Sequence, residues 1–183
     1  GTAGPAHNGV LIGNARLAGP GDEGAAGDLG KIGGALHFDG AGDFVRAGDL
    51  DTGGTFSVAF WCRWDGGAAP TGWPRIVDKK PPGQWDTPNG WAVNLAQDAD
   101  RQLQVLAGNG SVLFANNIVD SWTAGGWHHV TVVFDDGTAS VFADGDPNPK
   151  ANGTITPFGQ NDFELKFGYG DNFYWDGLLD EMY

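Results

Sequence analysis

Apolar and polar positions alternate with a period of two in several stretches of the chain, and that pattern predicts strands. It is clearest from Trp127 to Asp144. There Val130, Val132 and Phe134 alternate with Thr131 and Val133, Asp136-Gly137 supplies a tight reversal, and a second β-prone run covers Ala139 to Ala143. Both runs are apolar or small on two faces, which predicts central strands of a packed sandwich; an edge hairpin would show a more polar outer side. Thr55 to Trp64, TFSVAFWCRW, predicts a strand with Phe56, Val58, Phe60, Cys62 and Trp64 on one face. Ser57, Ala59, Trp61 and Arg63 take the other. Further strands are predicted at Arg75 to Lys79, Trp91 to Leu95, Arg101 to Leu106, Ser111 to Phe114, near Gly153 to Thr156, at Phe163 to Phe167 and at Leu178 to Tyr183. In Gly34 to Val45, GALHFDGAGDFV, two short apolar runs flank a turn that carries Asp39 and Asp43. Gly1 to Gly34 is the least regular part, with only Gly9 to Leu17 strand-like.

Composition agrees with that pattern. Thirty-two glycines and ten prolines in 183 residues exceed what helices tolerate, and no stretch of ten residues has a convincing 3.6-residue apolar repeat. The expectation is one all-β domain over residues 1–183, large enough to bury a core, with 1–34 an irregular N-terminal segment packed on the sandwich. A chain that starts at Gly1 and stops inside a strand-like run is expected to be a piece of a larger protein. Cys62, the single cysteine, sits in an apolar run and reads as a small buried hydrophobe. No stretch has membrane-spanning length, so no membrane insertion is expected.

Charge narrows the partners. Twenty-three acidic residues against ten lysines and arginines give a net charge of -13, which argues against a nucleic-acid ligand, since phosphate binding draws on clustered cations. Nearly all the acid is aspartate, much of it beside glycine or asparagine. Such residues make turns, and they also make oxygen-rich cation sites. The turn holding Asp39 and Asp43 places two carboxylates near exposed carbonyls, where a hard cation could sit. Alternatively, Asp39 caps its own turn with an Asx-type bond that needs no ion.

Residues 65–90 form a proline-rich loop system around one short strand, and long loops on rigid sheets are where binding residues tend to lie. Sugar recognition asks for flat aromatic faces beside carboxylate, amide and hydroxyl groups. Trp61, Trp64 and Trp127, in or beside strands, are expected in the core. Trp73, Trp85, Trp122, Tyr174 and Trp175 stand in loop-like context as candidate platforms, with Asn116, Asn117 and Asp171 as polar partners.

GALHFDGAGDFV, TFSVAFWCRW, GWHHVTVVFDDGTASVFADG, LKFGYG and GLLDEMY, in that order, resemble the successive signatures of laminin G-like domains in the concanavalin A-like lectin and glucanase superfamily, particularly the bacterial jelly-roll type. The resemblance covers nearly the whole chain. It implies a two-sheet antiparallel jelly-roll sandwich and a module of a secreted or cell-surface protein. It also implies a structural calcium held near the first long turn and closed from the last strand, which carries over to Asp39, Asp43, Asp180 and the Gly42 carbonyl. The loop with Trp73 and Trp85 is longer and more aromatic than a plain member would have.

The superfamily's hydrolases carry closely spaced acids on one strand, of the type Glu-x-Asp-x-x-Glu, and no such run occurs here. His128 and His129 are adjacent and point to opposite faces of a strand, unlike a metal pair. The expectation is a non-catalytic, lectin-like module that binds a glycan or polysaccharide and other domains of its parent protein. The alternative is a structural or adhesion domain without sugar affinity, and a hydrolase or lyase comes third.

Overall fold

The computed structural model describes residues 9–18, 30–50, 52–65, 72–84, 89–96, 102–108, 110–115 and 125–183. Among these it contains strands and no helix. In chain order they are β1 (Val10–Ile12), β2 (Arg16–Ala18), β3 (Ala35–Asp39), β4 (Phe44–Arg46), β5 (Thr55–Trp64), β6 (Arg75–Lys79), β7 (Trp91–Leu95) and β8 (Leu103–Ala107). The second half holds β9 (Ser111–Ala115), β10 (Trp127–Asp135), β11 (Thr138–Ala143), β12 (Ala151–Thr154), β13 (Lys166–Phe167), β14 (Tyr169–Gly170), β15 (Phe173–Tyr174) and β16 (Asp176–Asp180). The first sheet runs β1-β4-β13-β6-β7-β8-β9 and the second β12-β11-β10-β5-β16-β3-β2, while β14 and β15 form a separate ribbon. All the pairings are antiparallel, and the two large sheets make a jelly-roll sandwich.

The alternation in β5 and β10 explains how the sheets meet. Phe60 lies opposite Val130, Val58 opposite Val132 and Phe56 opposite Phe134, so one face of the pair is continuously apolar. That face packs on Trp91, Val93 and Leu95 of β7 and Leu103, Val105 and Ala107 of β8. Phe56 stacks on Phe134 with ring centroids 4.7 Å apart, and Trp91 closes on both. Each such aromatic is a large contributor; truncating Phe60 to alanine is expected to cost about 3–5 kcal/mol. Cys62 is fully buried in the same cluster, where burial pushes its thiol well above the ordinary value.

The hairpin at Asp136-Gly137 forms as predicted, and β5, β6 and β7 keep their predicted bounds. The run at Gly9 to Leu17 divides into two strands around Gly13-Asn14: β1 pairs with β4 in the first sheet and β2 with β3 in the second. The chain's last strand begins earlier than its apolar run suggested, at Asp176, and lies between β5 and β3. Beyond it, Tyr183 exchanges backbone hydrogen bonds with Ala59.

Trp64 is in the core, but Trp61 and Trp127 are not. They occupy the outward side of the second sheet, half-buried, because Trp61 alternates with Phe60 and Cys62 and lies opposite His129. With Lys31, His129 and Asp144 they line a shallow concavity of about 510 Å³. A small buried group of Ala18, Ala35 and Leu178 packs against Trp127 there.

An irregularity in the first sheet re-aims a charged side chain. Between β6 and β7, Arg75 is opposite Asn94 but Val77 is opposite Val93, so Ile76 is an extra residue in the ladder. The bulge reverses the parity of the strand. Arg75 and Asp78, three apart and expected on opposite faces, both come to the outward side of the first sheet.

Candidate functional site

The outward side of the first sheet carries a polar row beneath a cavity. Register places Arg75 of β6 opposite Asn94 of β7, and Asn94 opposite Gln104 of β8. Gln104 and Leu106 face outward because they alternate with the core residues Leu103, Val105 and Ala107. The cavity, of about 450 Å³, is lined by Trp73, Arg75, Gly83, Gln104, Leu106, Asp171 and Phe173. Trp73 is 39% exposed at its rim, with its ring edge-on to Phe173 at 5.5 Å between centroids.

The β14–β15 ribbon builds one wall. Asp171 and Asn172 both have positive φ, 54° and 64°, as a two-residue hairpin turn with right-handed strand twist requires. The turn lowers Asp171 onto the sheet. Its Oδ2 accepts hydrogen bonds from Arg75 Nη2 at 2.6 Å and from Lys80 Nζ, and its Oδ1 accepts one from the Gly83 backbone N–H at 2.6 Å. One carboxylate therefore joins the ribbon, β6 and the loop after it. Gly170 has to be glycine: a Cβ there would stand 2.3 Å from Asp78 Oδ2 and 2.8 Å from Arg75 Cγ. Gly72, with φ of 90°, similarly leaves room for the Phe173 ring, which a Cβ would approach to 2.1 Å.

Below the wall lies a cluster of buried charges. Arg75 Nε donates to Asp78 Oδ2 at 3.2 Å, Lys166 Nζ stands 3.5 Å from Asp78 Oδ1, and Lys80 Nζ lies 4.0 Å from Asp78 Oδ2. Burial of Asp78 outweighs the pull of Lys166, Lys80 and Arg75 and raises its carboxyl above the ordinary value. Asp171 goes the other way: burial works against its charge, but the hydrogen bonds from Lys80, Arg75 and Gly83 outweigh it and lower its carboxyl. Asn94 is fully buried, with its amide nitrogen donating to Gln104 Oε1 at 2.8 Å and to the Leu95 carbonyl at 2.9 Å. Its Oδ1 accepts no hydrogen bond among the described residues.

Of the residues expected to bind ligand, Trp73 and Asp171 meet at this cavity. Tyr174 does not line it; its ring stacks on Tyr169 at 4.7 Å. Trp175 is fully buried against Trp64, 5.1 Å between centroids, and cannot serve as a platform; its loop-like sequence context concealed a residue turned inward just ahead of β16. Trp85, Asn116, Asn117 and Trp122 lie outside the described residues. Arg75, Gly83, Gln104, Leu106 and Phe173 were not anticipated. The polar positions of QLQVLA carried a signal for Gln104, but the bulge that turns Arg75 outward had none.

Of the expected calcium ligands, Asp39 and Asp43 lie together and Asp180 apart. Asp43 is fully buried and accepts hydrogen bonds from the backbone N–H groups of Asn14 and Asp39. Asp39 accepts from the Ala41 N–H at 2.9 Å, the Asx-type bond, and from Asn14 Nδ2 at 3.4 Å. Asp180, which was to close the set, is held elsewhere. Register pairs Asp39 with Asp176, so Asp180 lies four residues further along β16, about 13 Å at the usual strand rise. Its Oδ2 accepts from the Ile32 N–H and its Oδ1 from that of Glu181. Among the described residues no three His, Cys, Asp or Glu side chains form a potential metal site, and Asp180 stands apart from the first turn.

The laminin G family model described as concanavalin A-like lectin/glucanases superfamily matches residues 39–183. The chain belongs to that family. Its fold is similar to domain 4 of AbnA, an extracellular arabinanase from Geobacillus stearothermophilus solved in complex with arabinotriose: TM-score 0.68, 21% identity, covering 95% of this chain and 80% of that one. It is also similar to domains LG4-5 of the mouse laminin α1 chain, at TM-score 0.61 and 9% identity over 81% of this chain and 40% of that one. A SAP-like pentraxin from Limulus polyphemus matches at TM-score 0.59 and 19% identity, covering 81% of this chain and 73% of that chain. No curated protein sequence matches the chain.

Proposed function

We propose that this domain is a non-catalytic carbohydrate-binding module that holds a glycan in the cavity over β6, β7 and β8. The observation that carries the reading is the cavity itself. A half-exposed tryptophan, a second aromatic ring and Leu106 offer apolar surface to a sugar ring, and the Gln104 amide lies beside them. The arabinotriose complex of the AbnA domain supports a glycan ligand for this fold, and the extracellular arabinanase it belongs to supports a secreted or cell-surface setting.

The wall carboxylate argues against hydrolysis. Glycosidases flank the scissile bond with two carboxyl groups, whereas Asp171 is the single carboxylate lining the cavity among the described residues. Asp78, whose carboxyl is shifted in the opposite direction, is sealed beneath Arg75 and does not line it. The second reading, a structural or adhesion domain, is favoured by the internal use of Asp171: both its oxygens serve the protein.

Calorimetric titration against a panel of plant and microbial oligosaccharides tests the proposal. The expected result is binding that Trp73→Ala weakens by about tenfold or more, the loss of roughly 1.4 kcal/mol or more. A panel without a binder, or a binder indifferent to Trp73→Ala and Gln104→Ala, leaves the structural reading in place.

A further inference from the structure

The cluster under the cavity is short of negative charge. The charged groups facing Asp78 are Lys166, Lys80, Arg75 and Asp171, which makes three cations to two carboxylates among the described residues. Asp78, Arg75, Lys80 and Lys166 are buried and Asp171 is partly so. The imbalance is local. Elsewhere on the same strand Lys79 is buried too, but its ammonium is met by the Asp49 carboxylate at 2.7 Å and by oxygens of Asn161 and Phe163. Arg46, opposite Lys166 in register, adds an exposed cation at the edge of the same face. A chain of net charge -13 thus places four of its ten lysines and arginines on one patch. Buried charge without a counter-charge is unfavourable, and a partner that supplies the missing anion relieves that cost.

Building on the glycan-binding reading, we propose that the sugar taken by this cavity bears a carboxylate, as in a uronic acid unit, which enters beside Arg75 and supplies the missing negative charge. Arg75 is the member of the cluster that both lines the cavity and has donors to offer. It donates to Asp78, to the Trp73 carbonyl and to Asp171, one bond from each nitrogen, and each terminal nitrogen carries a second N–H. A planar carboxylate suits that fork. Trp73 and Phe173 would then face the sugar ring while its acid group points to the sheet.

The test uses the whole domain, titrated by calorimetry with a set of uronic-acid oligosaccharides, the methyl esters of the same oligosaccharides, and neutral arabinotriose. The acid is expected to bind about tenfold or more tightly than its own ester, a comparison that needs no variant. Lys80→Met, which brings the cluster to charge balance, is expected to reduce that preference to within about threefold, and Lys166→Met serves if the first variant does not fold. Equal binding of acid and ester, or a preference untouched in a folded variant, overturns the charge assignment while the glycan reading stands. Binding of neutral sugar alone has the same consequence. If no oligosaccharide binds, the glycan reading itself fails and this inference with it.

Discussion

Two aspartate turns in this domain have similar sequences and opposite environments. The Asp39 to Asp43 turn and the Asp171-Asn172 turn are both glycine-flanked, and both were candidates for binding something. Asp43 is fully buried and accepts from two backbone N–H groups, and its effect is to clasp the link between β1 and β2 onto β3. Asp171 meets Arg75 and Lys80, and its effect is to hold an aromatic ribbon over a sheet face. The difference lies in what is beneath each turn. Backbone dipoles can satisfy one carboxylate and leave nothing over; side-chain cations bring whole charges, and among the described residues three of them meet two acids.

The largest expected effect comes from breaking the second turn. Asp171→Asn leaves Arg75 and Lys80 buried with one fewer counter-charge, which should cost about 3 kcal/mol and lower Tm by roughly 10 °C for a chain of this size. A fall of only a degree or two would mean the cations reach water and the wall is not held as described. Asp43→Ala removes an acceptor for two backbone N–H groups and should cost about 2 kcal/mol, measured by urea unfolding. None of that turn's residues lines the cavity, so glycan affinity should change little with it.

Acid sharpens the contrast. The Asp171 carboxyl is held below 3.8, so its stabilisation is fully present above 3.8 and is lost as pH falls through the lowered value. Asp78 is raised above 3.8, so its contribution is present below 3.8 and lost as pH rises through the raised value. Stability measured against pH should therefore lose its acid-side decline in part in the Asp171→Asn variant, and an unchanged profile would contradict the pairing. The smallest effect is expected from calcium. With Asp180 some distance from Asp39, adding calcium or chelator should move Tm by less than about 2 °C; a rise of several degrees would show that an oxygen cage does assemble at the first turn.

Much of the fold was legible because a strand with one buried face writes its period into the chain. TFSVAFWCRW and WHHVTVVFDDGTASVFA alternate because one side of each faces the opposite sheet, and the motif order pointed to the family. The site was less legible. Trp73 and Asp171 could be picked as aromatic and acidic loop residues, but Trp175 has the same local context and is buried. Exposure depends on which way the chain turns as it enters β16, and Trp64, distant in sequence, decides that by packing against it.

What the sequence by itself determined is the all-β class, the period of each strand and the hairpin turns, because those depend on neighbours one to four residues away. Only the tertiary structure decided that Ile76 bulges out of its ladder, that Arg75 and Asp78 therefore share a face, and that Lys166 and Asp171 arrive there from some ninety residues later. Charge balance is a sum over groups that meet in space. It could not be read from a chain whose overall charge has the opposite sign.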